Sequence, residues 1–366
     1  MQVKDIIQAI EEKAPLLYQE SYDNSGLQVG DPEDEVKAVL ISLDVTEAVL
    51  EEALARGCNM IVAHHPLIFS GIKRLSGRNY VERIIVKAIK NNICIYAAHT
   101  NLDNMRHGVN AKIAQKLGLQ ETAILSPMKG TLSKLYTYVP INAADKVREA
   151  MFAAGAGSVG KYSECSFNMA GTGTFRPGED TNPAIGMAGG EREQVEELKI
   201  EVLVQKHNEQ KILKALFASH PYEEIAYEMI ALQNIDMEIG AGMTGQLPEP
   251  LSEWDFLALL KSTMQADCIR HTEVRGKKVQ KVAVCGGSGS FLLKDAIAAG
   301  ADVFVTGDFK YHQFFDAESR IVIADIGHYE SEQYTKEIFE TLLKEKFPNF
   351  ATLLSNLSTN PVKYFC

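Results

Sequence analysis

The chain has 366 residues, enough for two or three domains and a sizeable buried core without disulfide or metal staples. Hydrophobic residues make up 46% and charged residues 23%, which excludes a disordered or collagen-like chain. A net charge of −11 argues against direct nucleic-acid binding and against adhesion to anionic membranes, both of which draw on basic side chains.

The opening residues 2–13 carry Val3, Ile6, Ile7 and Ile10 at helical spacing, stopped near Pro15. Asp5, Glu11 and Glu12 fall where a signal peptide needs an apolar core, and no run reaches the roughly 18 apolar residues of a membrane span. The six cysteines stand singly with no C-x-x-C pair, so neither a disulfide framework nor a thiolate zinc site is expected. A cytoplasmic location is the simplest expectation.

A strand–helix rhythm follows. Residues 37–43 predict a buried strand, 46–56 a helix ended by Gly57, and 59–63 a second strand. A helix over 79–91, a strand over 93–98 and a helix over 108–117 closed by Gly118 continue the pattern. Apolar β-rich runs alternating with helices argue for a parallel sheet covered on both faces. The rhythm returns late: a strand at 281–285, a helix at 289–299 ended by Gly300, and a strand at 302–305. At an offset of 243, Val39 meets Val282, Ile41 meets Val284 and Gly57 meets Gly300, while His64 and His65 fall opposite Gly307 and Asp308. The expected fold class is α/β, with two similar halves whose strand ends face a common cleft.

Between the halves the texture changes. Residues 131–139 predict a strand, 142–154 a helix, 161–175 a strand pair or one long strand, and 177–194 a loop. A strand over 197–205, a helix over 208–218 and a strand over 225–232 complete a β-α-β-β-α-β order, the ferredoxin-like pattern. An inserted domain over 131–245 is therefore expected between segments 1–130 and 246–366 of a larger domain.

The densest chemical signal is V-A-H-H-P, where His64 and His65 leave a strand and Pro66 ends regular pairing. Neighbouring side chains of a continuing strand face opposite sides, but at a bend each can reach a different ion. His99 and Asp103 follow the strand at 93–98, and His328 and Glu332 stand four residues apart, on one face of a helix. Each pair alone fits a helix cap or a surface pair equally well. Together they suit two first-row divalent cations (zinc, iron or manganese) with a carboxylate as bridge, acidifying water and polarising a substrate. His99 or Asp308 could move protons, and Asp308 and His312 could also stand behind the ligands or serve as buried caps. C-G-G-S-G-S-F (285–291) has the look of a phosphate cradle but lacks the third glycine of G-x-G-x-x-G and also fits a bare tight turn. H-P-Y-E-E (220–224) fits turn chemistry.

The ordered set YDNSGLQVG (22–30), VAHHPLIF (62–69), AAHTNLD (97–103), VCGGSGS (284–290), TGDFKYH (306–312) and DIGHYESE (325–332) resembles the NIF-three-like family, also labelled GTP cyclohydrolase I type 2 homologues. The insert, with SHPYEEIAYEMIAL (219–232), looks like the PII/CutA-like domain of the longer bacterial members. The resemblance implies a two-metal centre on His64, His65, Asp103, His328 and Glu332, and a ring-shaped homohexamer whose sites face an internal cavity. Tyr22 stands where many members have Trp. The function expected is a metal-dependent hydrolase acting on a nucleotide or related small molecule. The alternatives are a metal-binding regulatory protein whose PII-like insert senses a small ligand, or a scaffold in transcription, the latter suggested only by the family's name.

Overall fold

The computed structural model describes residues 1–365, which divide into two compact units, Met1–Pro127 with Met237 onward, and Met128–Asp236. The larger unit holds two mixed sheets. The first has β1 (Gly26–Val29), β2 (Val39–Ser42), β3 (Met60–Ala63), β4 (Cys94–Ala97) and the last strand, β15 (Thr352–Leu354), in the order β1-β4-β3-β2-β15. The second has β5 (Gln120–Pro127), β10 (Gly240–Ser252), β11 (Arg270–His271), β12 (Lys278–Ser288), β13 (Val303–Gly307) and β14 (Val322–Asp325), in the order β11-β14-β13-β12-β10-β5.

Strands β2, β3 and β4 are parallel, and so are β12, β13 and β14. Antiparallel strands adjoin each trio, β1 beside β4, β11 beside β14, and β10 beside β12, while β15 extends the first trio in parallel beside β2. The wholly parallel sheet expected from the apolar runs is thus corrected to a parallel centre with antiparallel strands added. The additions escape periodicity because β10 reads Gly-Ala-Gly-Met-Thr-Gly-Gln and β11 has two residues. Alternation within the trios sorts the core. Val39, Ile41, Met60 and Val62 meet Val282, Val284, Val303 and Val305 in one buried cluster, with the helices Val3–Glu11, Val109–Lys116 and Thr335–Lys346 contributing to it. Leu40 and Ile61 face the opposite cluster under the helices Glu47–Ala55 and Tyr80–Lys90. Gly57 and Gly300, matched in the repeat, both end helices with φ near +70°, a left-handed stop that glycine adopts without a Cβ clash. The late helix starts differently from its prediction: Ser290–Leu292 is a 3₁₀ turn and the α-helix runs from Leu293 to Ala298.

The second unit has β6 (Leu132–Pro140), β7 (Ser166–Phe175), β8 (Glu193–Gln205) and β9 (Tyr227–Ala231), all antiparallel in the order β7-β8-β6-β9. Its helices Ala144–Ala153 and Glu209–Ser219 bury Val147, Met151, Ile212 and Leu216 with Leu135, Ile200 and Val202. Residues from 166 make one long strand, the second of the two expected forms. The unit ends at Asp236, short of the expected 245, because residues from Gly240 pair with β5 and β12 of the larger unit. Among the described residues no helix is long and apolar enough to cross a membrane.

Candidate metal centre

The chain bends where β3 ends: the His64 and His65 amides both donate to the Leu43 carbonyl, at 3.1 and 2.9 Å. His64 is wholly buried, and its Nδ1 lies 2.9 Å from the Ala98 carbonyl. A carbonyl only accepts, so Nδ1 carries the hydrogen and Nε2 offers a lone pair. That Nε2 faces Asp103 Oδ1 at 3.5 Å and Glu332 Oε1 at 3.8 Å. Among the described residues, neither His64 Nε2 nor Asp103 Oδ1 has a hydrogen-bond partner, although both atoms are buried.

The other oxygen of Glu332 serves a second group. Oε2 lies 2.9 Å from His65 Nε2 and 3.1 Å from His328 Nε2, and the two imidazole nitrogens are 3.2 Å apart. The helix His328–Glu332 that follows β14 brings its first and last residues together, as their four-residue spacing requires. Donor atoms of His64, Asp103 and Glu332, of His65, His328 and Glu332, and of His64, His65 and His99 each lie within 4.8 Å of one another. His99, read from sequence as a proton carrier, is therefore also within donor reach.

Each outward imidazole is backed by a carboxylate at Nδ1. Asp44 holds His65 at 2.7 Å, Asp23 holds His99 at 2.8 Å and Asp308 holds His328 at 2.7 Å. Thr359 donates to Asp44, while Ser25 and the Thr100 backbone donate to Asp23. Such backing fixes the ring and its tautomer and raises the basicity of Nε2. Asp308 stands behind His328, one of the places its sequence position allowed. His312 lies elsewhere, against the rings of Tyr311 and Phe315. Asp23 and Asp44 went unread as site residues; the signals were their places in Y-D-N-S-G and just after β2.

The charges are strongly interdependent. Burial, with Glu332 beside it, raises the Asp103 pKa to about 7, while His99 and His65 pull the other way. Burial opposes the imidazolium of His65, yet Asp44 and Glu332 outweigh it and lift the pKa to about 10. His328 rises to about 11 against burial, through Glu332 and Asp308. Burial of Glu332 is likewise overcome, chiefly by His328, and its carboxyl is held well below the usual range. Protonated imidazoles thus supply the positive charge among these carboxylates. A divalent cation would supply it without a proton, and donors about 3.4 Å apart match tetrahedral ligands at about 2.1 Å. The residues fit a metal ion.

The glycine turn makes room for this cluster. A Cβ on Gly287 would lie 2.4 Å from Glu332 Oε1, and its φ is +59°. The tight-turn reading is the one the hydrogen bonds favour: the amides at Gly286, Gly287 and Gly289 donate to Asn110, Ser331 and Thr306 and are not open to a phosphate. H-P-Y-E-E is turn chemistry, with His220 Nε2 at 3.0 Å from the Tyr138 carbonyl and the Tyr222 hydroxyl donating to Glu197.

Fold and cluster together define a mixed α/β protein with several sheets and a buried group of histidines and carboxylates suited to a metal ion. A family model described as Duf34/NIF3 (NGG1p interacting factor 3) matches residues 1–361, and the chain belongs to that family. It is 40% identical over 364 residues to the GTP cyclohydrolase 1 type 2 homolog of Halalkalibacterium halodurans, covering 98% of each chain. Identity to the Bacillus subtilis protein of the same name is 36% over 367 residues, 99% of this chain and 98% of that one. A Bacillus cereus protein related to NIF3 superposes with a TM-score of 0.87 at 38% identity, covering 100% of this chain and 99% of the other.

Proposed function

We propose that the chain is a dinuclear-metal-dependent hydrolase that acts on a nucleotide or related small molecule. The observation that carries the reading is the division of Glu332: one oxygen faces His64 and Asp103, the other faces His65 and His328. A carboxylate so placed suits a bridge between two ions, and the unpartnered His64 Nε2 and Asp103 Oδ1 mark a place for one of them. Two bound divalent ions would acidify water and polarise the attacked group.

The chain's own residues do the rest. His99, oriented through Nδ1 by Asp23, keeps its ring 5.3 Å from that of His64 and is placed to hold or pass a proton at the cluster. The cluster opens into a cavity of about 760 Å³ lined also by Tyr22, Phe69, Phe291 and Tyr329, of a size for one small molecule. The printed name of the relatives suggests opening of the GTP imidazole ring with formate release as the first reaction to test. In the second unit, the β-α-β-β-α-β order with antiparallel pairing supports the PII/CutA-like reading.

Metal analysis of protein purified without added ions, followed by assays of the metal-loaded chain with GTP, tests the proposal. Two ions per chain and formate release are expected. A chain that binds metal and yields neither formate nor any other hydrolysis product from nucleotides would end it.

A further inference from the structure

The site as described has little to offer a phosphate. Arg270 is the one arginine or lysine among the described residues lining the cavity, and it is held by Asp325 and the Phe309 carbonyl. Carboxylates surround it, Glu20, Asp44, Asp308 and Glu330 among them. A concentration of cations lies one step along the chain. The loop that leaves His64 and His65 runs to the helix Tyr80–Lys90 and exposes Lys73, Arg74 and Arg78. None of the three side chains has a hydrogen bond or ion pair among the described residues, whereas Arg83 and Lys87 of the following helix pair with Glu47 and Glu51. In a chain of net charge −11, three unpaired cations within six residues, with no carboxylate among them, form a local excess of positive charge.

The loop is fixed at its root and open beyond it. Asn24 donates to the Ile68 carbonyl at 2.6 Å and the Ile68 amide donates to Gln28 at 3.1 Å. The loop encloses a groove of about 540 Å³, and Pro66 and Phe69 line both that groove and the metal-donor cavity. The backbone amides of Ser76 and Arg78 are already taken by Glu82, so anion binding falls to the side chains. At the shared rim, Tyr22 and Phe69 are 62% and 53% exposed with ring centroids 6.4 Å apart, and Phe69 stands edge-on to His99 at 6.4 Å. Exposed rings beside an acidic cavity suit a planar heterocycle, and guanidinium groups suit phosphate oxygens.

We propose that this loop is the phosphate-receiving arm of the substrate site. Lys73, Arg74 and Arg78 bind the phosphate tail of a small molecule whose planar ring lies against Tyr22 and Phe69, within reach of the metal donors. The inference rests on the reading of the cluster as a substrate site, but its test reads binding and needs no turnover.

Calorimetric titration of the full chain with guanosine, GTP, inorganic triphosphate and a short single-stranded oligonucleotide at fixed salt decides it. GTP is expected to bind about tenfold or more tightly than guanosine, through charge-assisted contacts. The combined change Lys73→Ala, Arg74→Ala, Arg78→Ala should erase that increment while leaving guanosine affinity and metal content unchanged. Phe69→Ala should weaken guanosine and GTP alike. The proposal is overturned if the increment survives in the triple variant, or if inorganic triphosphate binds as tightly as GTP. It is equally overturned if the oligonucleotide binds more tightly than GTP, or if neither guanosine nor GTP binds. Absent turnover alongside normal affinities would remove the hydrolase reading and leave the arm in place.

Discussion

The two halves of the larger unit share a scaffold and divide the chemistry. In each, a parallel run (β15, β2, β3 and β4 in the first, β12, β13 and β14 in the second) adjoins an antiparallel strand, and a glycine ends the helix between β2 and β3 and between β12 and β13. Where β3 exits into His64-His65, β13 ends on Gly307 and exits into Asp308. The first half supplies His64, His65, His99 and Asp103. The second supplies His328 and Glu332, a carboxylate behind His328, and glycines that let Glu332 approach. Repeated topology brings matching strand ends to one cleft, and divergence at those ends places four of the candidate donors in one half and two, with the space around them, in the other.

Breaking the donor half should have the largest effect. His64→Ala with His65→Ala is expected to cost more than about 100-fold in metal affinity, since even loss of a backing group costs roughly 10–100-fold. Metal analysis after dialysis checks this, and full occupancy would refute the assignment. Breaking the space in the other half comes next. Gly287→Ala would force a Cβ to within 2.4 Å of Glu332 Oε1 at a left-handed φ. A loss of about 1–3 kcal/mol in thermal unfolding, with reduced metal content, is expected. An unchanged melting temperature and metal content would show that Glu332 can move without cost.

Smaller effects sharpen the division. Asp44→Asn keeps the size but not the charge behind His65, and should weaken metal binding by roughly 10-fold with little change in fold. Thr359→Val, which removes only the donor to Asp44, should have a lesser effect in the same direction. Proton competition gives the last test. His65 and His328 have folded-state pKa values of about 10 and 11, above the ordinary 6.5. Their charge therefore stabilises the metal-free fold fully below about pH 6.5, and that contribution is lost as pH rises through 10 to 11. Metal binding needs both rings neutral, so the gain in melting temperature on adding metal should widen between pH 6 and pH 9. A gap that narrows over that range would show that these rings are not ligands.

Much of this was legible in the chain itself. Strands 39–42 and 60–63 and the helix 80–90 announce themselves by apolar period and capping, because burial of alternate residues is a local constraint. The His-His-Pro exit and the four-residue spacing of His328 and Glu332 are also local, so both stood out. The glycine turn at 285–291 stayed open between a phosphate cradle and a bare tight turn, since its amides are satisfied by Asn110, Ser331 and Thr306, distant residues that no spacing rule connects to it.

Sequence by itself determined the parallel trios, the glycine helix stops, the inserted stretch of different texture and the identity of the metal-binding candidates, all consequences of short-range periodicity and residue chemistry. Tertiary structure alone decided that β10 and β11 complete the second sheet, that Glu332 offers one oxygen to each histidine group, and that Asp23 and Asp44 stand behind His99 and His65. Those outcomes depend on side chains separated by up to 268 positions meeting in one buried place. Desolvation there makes each charge answer to its neighbours rather than to its position along the chain.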